Sequence, residues 1–193
     1  MALSKIYLID DASEGNLAEN MKDKITTLSN EHFFQNYLSE DSANKFEAYI
    51  ANYHYQNMAW NTKSASETIG NNEYTKDVLK AILEEALGMD NTIILLDYYF
   101  IDNPTDDTEV TALNFIKTIL TDNIESMKNQ RTRVLFYSSW PSKKMVEDIR
   151  RIENPNVYYS SIDFQRENDI VRFDLREFFR VVSEKERVKK DET

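Results

Sequence analysis

The chain has 193 residues, enough for one sizeable core but cramped for two, and at 41% hydrophobic and 12% aromatic it is too rich in core-formers to be disordered. With 34 acidic against 23 basic residues the formal charge is -11, which argues against broad attraction to nucleic acid or an anionic membrane. Cysteine is absent, so disulfides, thiolate metal sites and cysteine nucleophiles are excluded, and two histidines are thin material for a zinc site.

Met1 to Ser4 lead straight into an apolar run, Lys5–Ile9, so no secretory signal is expected. The run stops at two carboxylates, Asp10 and Asp11. Leu17, Met21, Ile25 and Leu28 then recur at helical spacing and predict a first helix. A second strand is expected next. His32–Leu38 (HFFQNYL) is its best candidate, with a helix as the alternative there, while Phe46, Ile50 and Tyr53 predict a helix within Ser42–Tyr55. From Asn57 to Glu73 the composition is polar and loop-like.

Val78, Leu79, Ile82, Leu83, Ala86 and Leu87 predict a helix that Gly88 ends. The next apolar run, Thr92–Leu96, is followed at once by Asp97. Val110, Leu113, Ile116, Leu120 and Met127 predict another helical stretch before the run Arg133–Tyr137, which ends in Ser138-Ser139. Met145, Val146, Ile149 and Ile152 predict a helix closed by Pro155, and Asn156–Tyr159 is the last strand-like run. A final helix carries Leu175, Phe178, Phe179 and Val182 on one face, and the charged tail, 183–193, is expected to fray.

Thr92–Leu96 and Arg133–Tyr137 show little polar alternation, as expected of strands buried on both faces in a parallel sheet. Strands alternating with helices predict an α/β fold. The longest aliphatic run, Ile93 to Leu96, is far short of the about 20 residues that cross a membrane, so a soluble, cytoplasmic chain is expected. The three glycines, Gly15, Gly70 and Gly88, cannot build a Gly-rich phosphate loop.

In an open parallel sheet, functional groups gather beyond the carboxyl ends of the strands, where the strand order reverses. Were the first two runs neighbours there, Asp10, Asp11 and Asp97 would converge in one cleft. Three carboxylates cannot all stay ionised together in a dry site without a cation. Hard oxygen ligands with room for water suit Mg²⁺. Ser138 would bring a hydroxyl able to bond a phosphoryl oxygen, so phosphoryl chemistry at an aspartate is the natural use of such a set. Each part has a plainer role too. Asp10 and Asp11 suit a strand lip or a helix cap, strand ends often carry serine, and Tyr158 and Tyr159 suit ordinary sheet positions.

The order of these features resembles the receiver domain of two-component response regulators: paired aspartates after the first strand (Asp10, Asp11), a lone aspartate after a strand of type IILLD (Asp97), then serine after the next (Ser138). The resemblance covers residues 5–13 and roughly 91–182. It implies a flavodoxin-like three-layer sandwich with a mostly parallel five-stranded sheet, a single receiver-like domain over 1–182, and a helical or loop insertion before the third strand, about 30–75. It further implies Mg²⁺ held by Asp11 with Asp10 assisting, by Asp97 and by the backbone carbonyl of Tyr99. Asp97 would be the phosphoacceptor, Ser138 would move to meet the phosphoryl group, and Tyr158 matches the place of the aromatic switch. The implied partner is a protein: a histidine kinase, a phosphotransfer protein or an effector, with no nucleic acid and no membrane involved and the oligomeric state open. Phe173, Phe178 and Phe179 exceed what one core face obviously needs and are candidates for its docking surface. Catalysis would amount at most to self-phosphorylation from a phosphodonor.

The chain departs from the receiver pattern in three places. Ser161 stands about where a lysine should bind the phosphoryl oxygen, with Lys143 or Lys144 as candidate substitutes. The stretch from Asp11 to Asp97 is longer than an ordinary receiver uses, and the loop after Asp97 (YYFIDNPTDD) is longer and more acidic. The missing lysine favours an alternative, a phosphorylation-independent pseudo-receiver that only binds proteins. A Mg²⁺-dependent phosphohydrolase of haloacid-dehalogenase type ranks below both, because its DxD pattern needs the second acid one residue later than Asp11. The acids Asp102, Asp106, Asp107 and Glu109 lack the ligand spacing and glycine of an EF-hand and read as a solvated helix entrance.

Overall fold

The computed structural model describes residues 3–10, 17–35, 38, 40–50, 57–59, 66–68, 72–99, 111–138, 143–159, 176–182 and 184. Its centre is a parallel sheet of β1 (Lys5–Asp10), β2 (Phe46–Ile50), β5 (Thr92–Asp97), β6 (Arg133–Tyr137) and β7 (Val157–Tyr159), ordered β2-β1-β5-β6-β7. A separate antiparallel pair, β3 (Asn57–Ala59) and β4 (Ser66–Thr68), stands between β2 and the next helix in sequence. The helices are α1 (Leu17–Ser29), α2 (Asn72–Leu87), α3 (Ala112–Asp122), α4 (Ile124–Asn129), α5 (Lys143–Arg150) and a C-terminal segment, 176–182.

β1, β5 and β6 are apolar at almost every position because both faces of the sheet are covered. Side chains alternate across a strand, and the core divides accordingly. Ile6, Leu8, Ile93, Leu95, Leu135 and Tyr137 face α1 and the C-terminal segment, through Met21, Ile25, Leu28, Phe178, Phe179 and Val182. Tyr7, Ile9, Ile94, Leu96, Val134 and Phe136 face the other way, onto Leu83 of α2, Ile116 of α3, Met127 of α4 and Ile149 of α5. The result is a helix–sheet–helix arrangement with two apolar layers.

Three expectations for the middle of the chain are overturned. Residues 46–50, expected in a helix, form β2, which pairs in parallel with β1 from Ile6–Phe46 to Asp10–Ile50. The described part of HFFQNYL is no strand: residues 32–35 turn, with Phe34 N–H bonded to Glu31 O and Leu38 N–H to Phe34 O, and Phe34 and Leu38 buried under the α1 side. The polar stretch expected as loop holds the β3–β4 pair and the start of α2. Tyr53, Val110, Leu175 and the tail beyond Glu184 lie outside the described residues.

Helix ends follow local chemistry. Gly88 N–H closes α2 onto the Glu84 and Glu85 carbonyls. Thr111, in extended backbone, caps α3 by accepting from Asn114 N–H at 3.2 Å, an ordinary cap bond. Asn91 and Arg131 take positive φ (59° and 54°) just before β5 and β6, and Arg131 clamps Asp90 through Nε at 3.2 Å and Nη2 at 2.5 Å. On the far side, buried Asn154 donates to Leu120 O at 2.8 Å and accepts from Asn156 N–H at 2.9 Å, tying α3 to the start of β7. Asn154→Ala orphans both groups, and a loss of about 1–3 kcal/mol is expected in urea unfolding. A change under about 0.5 kcal/mol would show that this tie contributes nothing.

Among the described residues, no helix is long and apolar enough to cross a membrane.

Candidate functional site

The sheet order reverses between β1 and β5, which lie side by side in parallel, with Ile9 opposite Leu96. One step further along the same register stand Asp10 and Asp97, the last residues of their strands. Alternation places both on the α1 face, following Leu8 and Leu95. Asp97 is in turn the register partner of Tyr137, the last residue of β6. Thus Asp10, Asp97 and Tyr137 line one row across three adjacent strands.

All three are removed from solvent. Asp10 and Tyr137 are 0% exposed and Asp97 is 3% exposed. The Tyr137 hydroxyl donates to Asp10 Oδ2 at 2.5 Å, a length expected of a hydroxyl bonded to a carboxylate. Two strand spacings separate β6 from β1, roughly 10 Å, so a side chain of tyrosine length is needed to make the bond. It passes over β5 at the level of Asp97. Sequence reasoning gave Tyr137 no role beyond ending a strand. The available signal was a hydroxyl at the last inward-facing position of an otherwise apolar run, VLFY.

The backbone beyond Asp97 is pinned as well. Tyr98 N–H donates to Tyr137 O at 2.8 Å, which carries the β5–β6 pairing past the aspartate and sets buried Ser138 next to it in the chain. Ala112 N–H donates to Tyr98 O at 2.9 Å, and Tyr99 forms a bridge with Thr111, so both ends of the loop after β5 close at this edge. The Tyr98 side chain belongs to the opposite layer, where its hydroxyl meets Asp148 Oδ2 of α5 at 3.4 Å.

Of the expected site residues, the fold therefore gathers Asp10, Asp97, Ser138 and Tyr99 at the carboxyl edge of the central strands. Tyr158 lies one strand beyond β6, half-buried, opposite Leu135 and edge-on to Phe178 with ring centroids 5.4 Å apart. Lys143 and Lys144 open α5, the first exposed and the second half-buried. Asp11, Ser139, Ser161, Trp140, His54, Phe173 and the acids from Asp102 to Glu109 lie outside the described residues. His32 is exposed.

One expectation is corrected. Phe178 and Phe179, proposed as a surplus surface, are 6% and 0% exposed. Their rings fill the α1-side layer against Tyr158 and Phe34, where, among the described residues, α1, the turn around Phe34 and Leu38 and the C-terminal segment cover three strands. Among the described residues Phe33, at 37%, is the exposed large hydrophobic side chain.

Two adjacent carboxylates are a donor set of the kind Mg²⁺ takes, which is commonly one or two acids with the remaining positions left to water or substrate oxygens. Among the described residues no group of three acidic or histidine side chains is gathered. No protein-family model matches this chain, and no curated protein matches it either.

Proposed function

We propose that the chain is a divergent, stand-alone receiver-like signalling domain, flavodoxin-like in fold, that holds Mg²⁺ and accepts a phosphoryl group on Asp97. The observation that carries this reading is the placement of Asp10 and Asp97, two buried carboxylates side by side where the sheet order reverses. The order β2-β1-β5-β6-β7, read with the inserted pair left out, runs 2-1-3-4-5, the doubly wound order whose ligands sit at that switch point. Burial costs each carboxylate hydration, and a cation between two adjacent acids offsets both that cost and their mutual repulsion.

In this reading Asp10, Asp97 and the Tyr99 carbonyl, with Asp11, would hold the cation, which would supply charge neutralisation for the incoming phosphoryl oxygens. A carboxylate oxygen of Asp97 attacks the phosphorus of a small phosphodonor, and the donor's leaving group departs with the electron pair of the broken bond. Ser138 donates its hydroxyl to a phosphoryl oxygen of the new acyl phosphate. Output passes to a protein partner.

Intact mass after incubation with Mg²⁺ and a small phosphodonor tests the proposal. One phosphoryl adduct is expected, lost with EDTA and in Asp97→Asn. A folded chain that binds Mg²⁺ but takes no adduct would instead be the pseudo-receiver, a reading favoured by Ser161 at the place of the lysine. A folded chain that neither binds Mg²⁺ nor takes an adduct would sink the proposal.

A further inference from the structure

We infer that Tyr137 is a positioning residue of this site: its hydroxyl, bonded to Asp10 Oδ2, sets the orientation of that carboxylate from two strands away. The inference rests on the Mg²⁺ reading above and adds a residue to it.

Three observations carry it. The bond joins two side chains with 0% exposure. It crosses the strand that bears Asp97, in the row where Asp97 is the register partner of Tyr137. The Tyr137 ring is fixed in turn, because it belongs to the apolar layer formed by Leu8, Leu95 and Leu135 with α1 and the C-terminal segment. A donor on a rigid ring holds a carboxylate in one orientation; a donor on a flexible stem would not. Partners that orient ligating carboxylates in this way commonly govern metal affinity as strongly as some ligands do.

A simpler role is available to the same bond. Buried tyrosine hydroxyls need a partner, and Asp10 supplies one. The two roles separate by what they move. Satisfying a hydroxyl affects folding alone, whereas orienting Asp10 affects how tightly the folded chain takes a cation.

The test is calorimetric titration of the full chain with Mg²⁺, comparing the unaltered protein with Tyr137→Phe, Asp10→Asn and the double variant, with thermal unfolding of each metal-free protein alongside. Phenylalanine keeps the ring in its layer and removes only the hydroxyl. Tyr137→Phe is expected to raise the Mg²⁺ Kd about tenfold or more. In the Asp10→Asn background the same change should alter Kd by less than about twofold, since its effect passes through Asp10. A Tyr137→Phe protein that binds Mg²⁺ within about twofold of the unaltered chain would overturn the positioning role and leave the metal site standing. An equal loss in both backgrounds would overturn it too. Should the unaltered chain give no Mg²⁺ heat, the metal reading itself fails and takes this inference with it.

Discussion

Phe179→Ala is expected to remove about 3–5 kcal/mol of stability, a large share of the roughly 5–15 kcal/mol that holds a domain folded. Phe179 has no exposed surface, and its ring meets Phe34 at 6.5 Å and Phe178 at 5.6 Å between centroids. It is the keystone of a thin layer. On this side β1, β5 and β6 are covered by α1, the turn around Phe34 and Leu38, and the C-terminal segment. Removing the ring opens a cavity bounded by strands that cannot move inward, so relaxation recovers little of the loss. Urea unfolding gives the magnitude. Amide hydrogen exchange shows whether 176–182 is released alone or the whole sheet goes with it. A loss below about 1 kcal/mol would mean that the segment contributes little to the core.

The second large effect is alkaline. Tyr7 and Tyr98 are 0% and 1% exposed, and burial pushes both phenols well above the ordinary value near 10; Asp148 adds to the shift at Tyr98. Between the unfolded and the folded pKa the native chain keeps protons that the unfolded chain has lost. The tyrosine contribution is therefore fully present below about pH 10 and is lost as the pH climbs toward the folded value. Once clear of pH 10, each tyrosine should cost about 1.4 kcal/mol per pH unit, roughly 2.7 kcal/mol for the pair. Urea unfolding across this range, followed beside phenolate absorbance, measures the slope. Tyr98→Phe should reduce it by about half of the pair's share. An unchanged slope in that variant would show that Tyr98 contributes nothing to the alkaline loss.

Much of the sheet was legible because its central strands are buried on both faces, so IYLI, TIILL and RVLFY read as unbroken apolar runs. The longer helices were legible for the opposite reason: one buried stripe at 3.6-residue spacing. β2 was misread because its signal is degenerate. Phe46 and Ile50 are four apart, and four residues bring a side chain back to the same face in a strand as well as in a helix. Over five residues the two periods cannot be separated. At the site, Asp10, Asp97 and Ser138 were found because each ends an apolar run. Tyr137 was missed because its partner lies far along the chain, across an intervening strand, and the spacing of residues carries no trace of such a contact.

The register of β1 has a consequence for the order of assembly. One edge of β1 pairs with β2, as Ile6 with Phe46, but its other edge waits for β5, with Lys5 opposite Thr92. The second loop is roughly twice as long, which adds only about 0.6 kcal/mol to its closure. Timing matters more. During synthesis β1, β2 and α1 can meet early, yet a strand apolar on both faces keeps an open edge and an uncovered side until β5 and α2 have emerged. β1 thus lacks its second neighbour until β5 emerges, and the nascent chain meanwhile presents a sticky, half-built sheet. Ribosome-bound chains ending before Thr92 would be the ones to seek a chaperone.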